Sequence, residues 1–246
     1  MSIQIIEGDC LVEMSKISDK SIDMILADLP YGTTACKWDT IIPFESLWEQ
    51  YKRIIKDNGA IVLTASQPFT SALVMSNIKW FKYEWIWEKT IPSGNLIAKY
   101  QPMKAHENIL VFGNGKIKFN PIKEERSKNS HSDKKGGSYK LKSEHRDGIS
   151  INKPKSELIY PRTVRLVGSV PRPLIKHPTQ KPVALFEYLI KTYTNEGDLV
   201  LDNVAGSGTT GVACHNLKRN CILIEKESKY IAIIKNRLAS LPITLF

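Results

Sequence analysis

The chain has 246 residues, 42% of them hydrophobic, enough for one α/β domain with a core of its own and a smaller appendage. No apolar run approaches the roughly 20 residues of a membrane span, and the opening MSIQIIEGDC lacks the charged and apolar regions of a signal peptide, so neither a membrane-spanning nor a secreted chain is expected, and a cytoplasmic location is. The formal charge is +10 at pH 7, a balance that points to a polyanionic partner.

Taken in order, Ile3 to Ile6 is expected as a short strand ending in Glu7-Gly8-Asp9-Cys10, and Leu11, Met14 and Ile17 space like one helical face. The apolar run from Ile22 to Leu26 reads as a buried strand that delivers Ala27-Asp28-Leu29-Pro30-Tyr31-Gly32, where Pro30 forces the chain out of the sheet. A carboxylate, a backbone carbonyl and an aromatic ring are thereby placed at the carboxyl end of a strand, the edge where open α/β sheets keep their sites. Residues 32–43 form a loop containing Trp38 and Asp39. Phe44, Leu47, Trp48, Tyr51, Ile54 and Ile55 mark an amphipathic helix, with Asn58-Gly59 as its stop signal. Ala60 to Thr64 returns as a strand, and Gln67-Pro68 opens another helix. Trp80 to Trp87 alternates like a half-buried strand, Asn108 to Phe112 gives one more, and residues 89–105 between them read as a long loop of the kind that serves as a lid.

Residues 113–176 change character. They hold 16 Lys and Arg against 6 Asp and Glu, a balance of 16 − 6 = +10 that equals the excess of the whole chain. The segment is rich in Lys, Ser, Gly and Asn, so it reads either as a phosphate-binding insert or as a solvated run. After it the α/β pattern resumes, with a helical face at Val183, Phe186, Leu189, Ile190 and Tyr193. A strand over Asp198 to Asp202, a helix over Thr209 to Leu217, a strand over Cys221 to Glu225 and a helix over Ile231 to Leu238 follow. One α/β domain, 1–112 with 177–246, is thus interrupted by a basic insert at 113–176.

Two constellations outside the first strand end carry chemistry. Leu199-Val200-Leu201-Asp202-Asn203-Val204-Ala205-Gly206-Ser207-Gly208-Thr209 runs from a strand through a glycine turn into a helix, so backbone can approach a ligand closely. Thr209 stands where a phosphate-loop Lys would be required, which excludes that motif. Asp202 and Glu225 end adjoining strands, and two carboxylates there suit a cofactor bearing a cation and free hydroxyls better than a pyrophosphate. His177-Pro178-Thr179-Gln180-Lys181-Pro182 precedes a helix, its prolines stiffening a turn that offers Thr179 and Lys181 as donors. Cys10, Cys36, Cys214 and Cys221 are scattered without C-x-x-C spacing, so neither disulfides nor a metal site is expected.

These motifs, in this order, resemble the β-class of amino-group DNA methyltransferases, in which the catalytic motif precedes a target-recognition insert and the cofactor glycines come last. The likeness covers everything outside 113–176. There are two departures: Asp28-Leu29-Pro30-Tyr31 stands where the family usually has Asp-Pro-Pro-Tyr, and Asp202-Asn203-Val204 where it usually has Asp-Pro-Phe. Leu29 keeps the backbone carbonyl; Val204 removes an aromatic ring that the family can place against the cofactor.

The resemblance implies a Rossmann-like sheet with helices on both faces and S-adenosylmethionine as cofactor. It assigns Asp28, Leu29, Pro30 and Tyr31 to catalysis on a base flipped out of double-stranded DNA. It assigns Asp9, Cys10, Thr179, Lys181, Asp202, Asn203, Ala205, Gly206, Ser207, Gly208, Thr209 and Glu225 to the cofactor. Lys134, Lys135, Arg162, Arg165 and Arg172 are expected to contact DNA, mostly at phosphates. Asp at the first motif position is associated in the family with adenine N6 and Ser with cytosine N4, so Asp28 favours adenine. The likeness also admits a homodimer and a cognate restriction endonuclease as partners. An N4-cytosine enzyme, an RNA or protein methyltransferase, a nicotinamide oxidoreductase and a non-catalytic DNA-binding subunit are the competing readings. The oxidoreductase leaves Asp28 to Tyr31 and the basic insert unexplained.

Overall fold

The computed structural model describes residues 1–33, 36, 39–125, 158–171, 173, 176–177 and 179–242. By internal contacts these fall into two compact units, Met1–Asn120 with Thr163–Phe246, and Pro121–Arg162.

The larger unit is built on an eight-stranded sheet. Its strands are β1 (Ile3–Glu7), β2 (Ile22–Ala27), β3 (Ile55–Ala65), β4 (Phe81–Ser93), β5 (Lys104–Phe112), β8 (Val164–Val167), β9 (Leu199–Asp202) and β10 (Asn220–Glu225). They lie in the order β1-β10-β9-β2-β3-β5-β4-β8. Only β5 is antiparallel to its neighbours. The chain leaves β2 toward β3 on one side and leaves β9 toward β10 on the other. The adjoining carboxyl ends of β2 and β9 are therefore the topological switch point, where α/β sheets bind ligands.

Side-chain alternation sorts the core into two layers. Met24 and Leu26 of β2 join Ala60 and Val62 of β3 against α4 (Val183–Tyr193), α5 (Thr209–Asn216) and α6 (Ser228–Ala239). Ile25 and Ala27 join Ile61 and Leu63 against α1 (Cys10–Met14), α2 (Phe44–Ile54) and α3 (Phe69–Ser76). Every residue of β2 is buried, as a parallel strand covered on both faces must be. The charge this encloses is compensated: Asp23 accepts from Lys56 Nζ at 2.7 Å and from the Leu199 amide at 3.0 Å.

Three boundaries differ from the sequence reading. Asn58-Gly59 does not end a helix but lies inside β3, which begins at Ile55 directly after α2. A Cβ on Gly59 would sit 2.7 Å from Ile55 and 2.9 Å from the Asp23 carbonyl, so glycine here serves close strand approach beside a register shift. The long loop expected over 89–105 is shorter, because β4 runs on to Ser93 and β5 starts at Lys104. The expected insert of 113–176 also narrows: residues up to Asn120 and from Thr163 belong to the larger unit, and β8 pairs in parallel with β4.

The smaller unit contains β6 (Glu124–Glu125) paired antiparallel with β7 (Leu158–Ile159), and Lys123 Nζ lies 5.3 Å from the Tyr160 ring centroid. Among the described residues no helix is long and apolar enough to cross a membrane.

Candidate active site

Asp28 emerges at the carboxyl end of β2, and three side chains converge on it, one from its own motif and two from distant segments. Tyr31 Oη donates to Oδ1 at 2.7 Å, the Thr64 hydroxyl donates to the same oxygen, and Lys181 Nζ donates to Oδ2 at 2.7 Å. Thr64 is delivered by register: Ala27 pairs with Leu63, so the last residues of β3 flank the motif. A carboxylate offers about four acceptor positions. Two on Oδ1 and one on Oδ2 are taken, which leaves one on Oδ2 open, and the side chain retains 19% exposure.

Lys181 is buried and also approaches Glu107 Oε2 at 3.3 Å, while Lys89 Nζ lies 3.3 Å from Glu107 Oε1. Burial pushes the Lys181 ammonium down, but the Asp28 and Glu107 carboxylates outweigh it and leave it above its ordinary value. It is therefore a permanent cation and not a base at neutral pH.

The turn after the motif is held from outside. Gly32 takes φ +67°, a left-handed conformation suited to glycine. The Gly32 and Thr33 amides donate to the Asp39 carboxylate at 2.9 and 3.0 Å. The Tyr31 ring is stacked on Phe69 with centroids 5.2 Å apart and planes at 26°.

The glycine turn faces this group from β9. Asp202 accepts from the Val204 amide at 3.1 Å and from the Thr210 hydroxyl, and burial pushes its carboxyl up to about 7. Glu225, at the end of β10, accepts from the Gly206 amide at 2.7 Å and the Glu227 amide at 2.8 Å, each on a different oxygen. The Lys226 amide also serves this carboxylate, which keeps acceptor capacity for a further donor, and burial raises its pKa too. Asn203, which stands where the family usually has proline, is buried and accepts from Tyr51 Oη at 2.6 Å.

The His177 to Pro182 segment lies across the glycine turn. Its His177 ring is 3.7 Å from where a Cβ on Gly206 would stand, and packs on Tyr230 with centroids 4.4 Å apart. The Thr179 amide donates to His177 Nδ1 at 3.2 Å, and the Thr209 hydroxyl donates to the Lys181 carbonyl at 3.3 Å. Burial lowers the His177 pKa, favouring the neutral ring that this bond requires. The segment thus spans two groups of residues: its backbone meets the glycine turn, and its Lys181 side chain reaches Asp28.

One cleft of about 640 Å³ is lined by both groups, from Asp28 and Tyr31 to Asp202, Gly206 and Glu225, with Asp9, Cys10, Thr179, Ala205, Ser207 and Thr209 on its wall. Leu29 and Pro30 line it as well. Asp9 is turned toward its own helix, where Oδ1 caps α1 by accepting from Leu11 and Val12 amides at 3.0 and 3.5 Å. Gly208 does not line it. At φ +77° it begins α5, and a Cβ there would meet Ile234 at 3.0 Å. Gly208→Ala is expected to cost about 1–2 kcal/mol from backbone conformation alone, read as a lowered urea midpoint with cofactor affinity falling in parallel.

Asp202 gives a second expectation. Its folded pKa lies above the ordinary 3.8, so the stability it contributes is fully present below 3.8 and is lost as pH rises through about 7. Asp202→Asn is expected to flatten that part of the pH dependence of the melting temperature of the free protein. An unchanged slope would place the titration elsewhere.

The residues expected to touch DNA separate. Lys134, Lys135 and Arg172 lie outside the described residues, and Arg162 belongs to the smaller unit. Arg165, on β8, stacks its guanidinium over the Tyr188 ring at 4.4 Å. Thr64, Lys89, Trp87, Glu107 and Tyr230 line or hold the site and were not anticipated.

A doubly wound sheet with a carboxylate at the switch point, in one cleft with a glycine turn and a pair of buried acids, defines a cofactor-dependent group-transfer enzyme. A family model described as DNA methylase, for the N6 and N4 enzymes, matches residues 22–236, and the chain belongs to that family. It is an amino-group DNA methyltransferase. The type II methyltransferase M2.MboI of Moraxella bovis is 30% identical over 263 residues, covering 96% of this chain and 87% of that protein. The type II methyltransferase M2.DpnII of Streptococcus pneumoniae is 29% identical, covering 95% and 88%. Among solved structures, the M1.HpyAVI–SAM complex is 28% identical, covers 96% of this chain and 99% of that one, and superposes with a TM-score of 0.67.

Proposed function

We propose that the chain methylates the exocyclic N6 of an adenine flipped out of double-stranded DNA, using S-adenosylmethionine. The observation that carries this reading is the single open acceptor position on Asp28, inside the cleft that holds the glycine turn.

S-adenosylmethionine supplies a methyl group on a sulfonium. The cleft fits such a group: Asp202 and Glu225 keep acceptor capacity for hydroxyls and a cation, and the turn at Gly206 brings backbone close to the ligand. Asp202, Glu225, Gly206 and the wall around Asp9 and Thr179 would hold it.

The amino nitrogen of adenine is a poor nucleophile, because its lone pair is delocalised into the ring. Asp28 Oδ2 accepts one amino N–H and the Leu29 carbonyl the other, which favours a pyramidal nitrogen with its lone pair free. Tyr31, backed by Phe69, supplies a stacking surface for the extruded base and offsets part of the few kcal/mol that flipping costs. Lys181 and Thr64 fix the carboxylate in place, so that much of the rate comes from alignment. Because the relatives are type II methyltransferases by name, a cognate restriction endonuclease is the partner this reading implies.

The test is to incubate the protein with labelled cofactor and unmethylated plasmid DNA, digest to nucleosides, and map the modified site by sequencing. Label in N6-methyladenine is expected. Label in N4-methylcytosine would overturn the choice of base, and preferential transfer to RNA would overturn the choice of substrate.

A further inference from the structure

We propose that the tip of the β4–β5 hairpin, residues 91–103, is a wedge that enters the duplex beside the extruded nucleotide. The proposal rests on the reading of the chain as an enzyme that flips its target base. Single exposed apolar side chains are ordinary, but clusters of them mark interaction surfaces. Here Leu96 is 98% exposed and Tyr100 87%, and Ile91, Ile97 and Met103 stand with them on the same short tip.

Placement points to the occupant. Lys89 and Ser93 of β4 and Glu107 of β5 line the cleft, so the two strands run past its rim and carry the tip beyond it. Charge points the same way. Residues 89–105 contain Lys89, Lys99 and Lys104 and no acidic residue, a composition that suits a phosphate backbone better than a mixed-charge protein surface.

The tip is preformed. Gly94 at φ +94° leads into a 3₁₀ turn over Asn95–Ile97, the Ile97 amide donates to the Gly94 carbonyl at 3.1 Å, and the Tyr100 amide donates to the Ile97 carbonyl at 2.9 Å. A base that leaves the stack forfeits its stacking and leaves a gap. Apolar side chains inserted between base steps fill such gaps. Leu96 and Tyr100, on the turn that follows Ser93 at the cleft wall, would occupy the vacated place and raise the population of the flipped state.

The experiment uses the full chain carrying Leu96→Ser and Tyr100→Ser, substitutions that remove no core contact. Two oligonucleotide duplexes containing the mapped site are compared, one fully paired and one with the target base opposite an abasic position. The double variant is expected to lose about ten-fold or more in single-turnover methylation of the paired duplex, where flipping must be driven. On the abasic duplex the loss should be much smaller, with cofactor affinity unchanged. Equal losses on both duplexes, or none on either, would overturn the wedge. A change in sedimentation behaviour with unaltered rates would assign the tip to contact between copies instead. Wild-type protein that methylates neither duplex would sink the enzymatic reading itself, a result distinct from all of these.

Discussion

Asp28→Asn is expected to lower methyl transfer by about 10³-fold, while cofactor affinity stays close to wild type and the melting temperature falls less than in Lys181→Met, because Glu107 remains beside the Lys181 ammonium. The amide is nearly isosteric and can be housed: its oxygen can accept from Lys181, and its NH₂ can face the Tyr31 and Thr64 hydroxyls, which can turn to accept. What it loses is the charged acceptor on Oδ2. The target amino group would then meet a neutral and weaker partner, and the electrostatic help given to the developing positive charge on nitrogen would vanish. Separate titrations of cofactor by calorimetry and of rate with mapped duplex distinguish this from misfolding. Activity within ten-fold of wild type would remove Asp28 from the chemistry.

Much of this centre could be read from local sequence, because its parts announce themselves within a few residues. The all-apolar run before Asp28 gives a doubly covered strand, Pro30 ends it, and the spaced glycines after Asp202 give a strand-to-helix turn. The remaining members come from pairing that no local pattern encodes. Thr64 reaches Asp28 because β3 lies beside β2 in parallel, and Glu107 reaches Lys181 because β5 is inserted between β3 and β4. Residues 89–93 and 104–107 are polar or mixed, so the ends of β4 and β5 look like loop. Asn58-Gly59 carries the signature of a helix stop, yet its glycine answers to the Asp23 carbonyl across a strand pair. β8 is four residues long within a basic stretch and owes its place in the sheet to pairing with β4. The Lys181 backbone does lie against the glycine turn, as a cofactor-side residue should, but its side chain goes to the other half of the cleft.

Lys181→Met is expected to be the most damaging change that touches no proposed substrate contact. In the native site one ammonium serves two carboxylates, Asp28 at 2.7 Å and Glu107 at 3.3 Å. Deleting it leaves Asp28 without a cation and Glu107 with Lys89 alone, at a cost of about 3 kcal/mol in stability. Asp28 would then be held by the Tyr31 and Thr64 hydroxyls alone, free to leave the position in which Oδ2 meets the amino group. The variant should therefore lose about ten-fold or more in single-turnover rate through misplacement of the carboxylate. Adding Glu107→Gln removes the second carboxylate, and the double variant is expected to regain part of the melting temperature. Thermal melts and single-turnover rates of the two variants decide the matter. If Lys181→Met alone keeps both the wild-type stability and the wild-type rate, the ammonium does not hold Asp28 in place, and Tyr31 and Thr64 position the carboxylate without it.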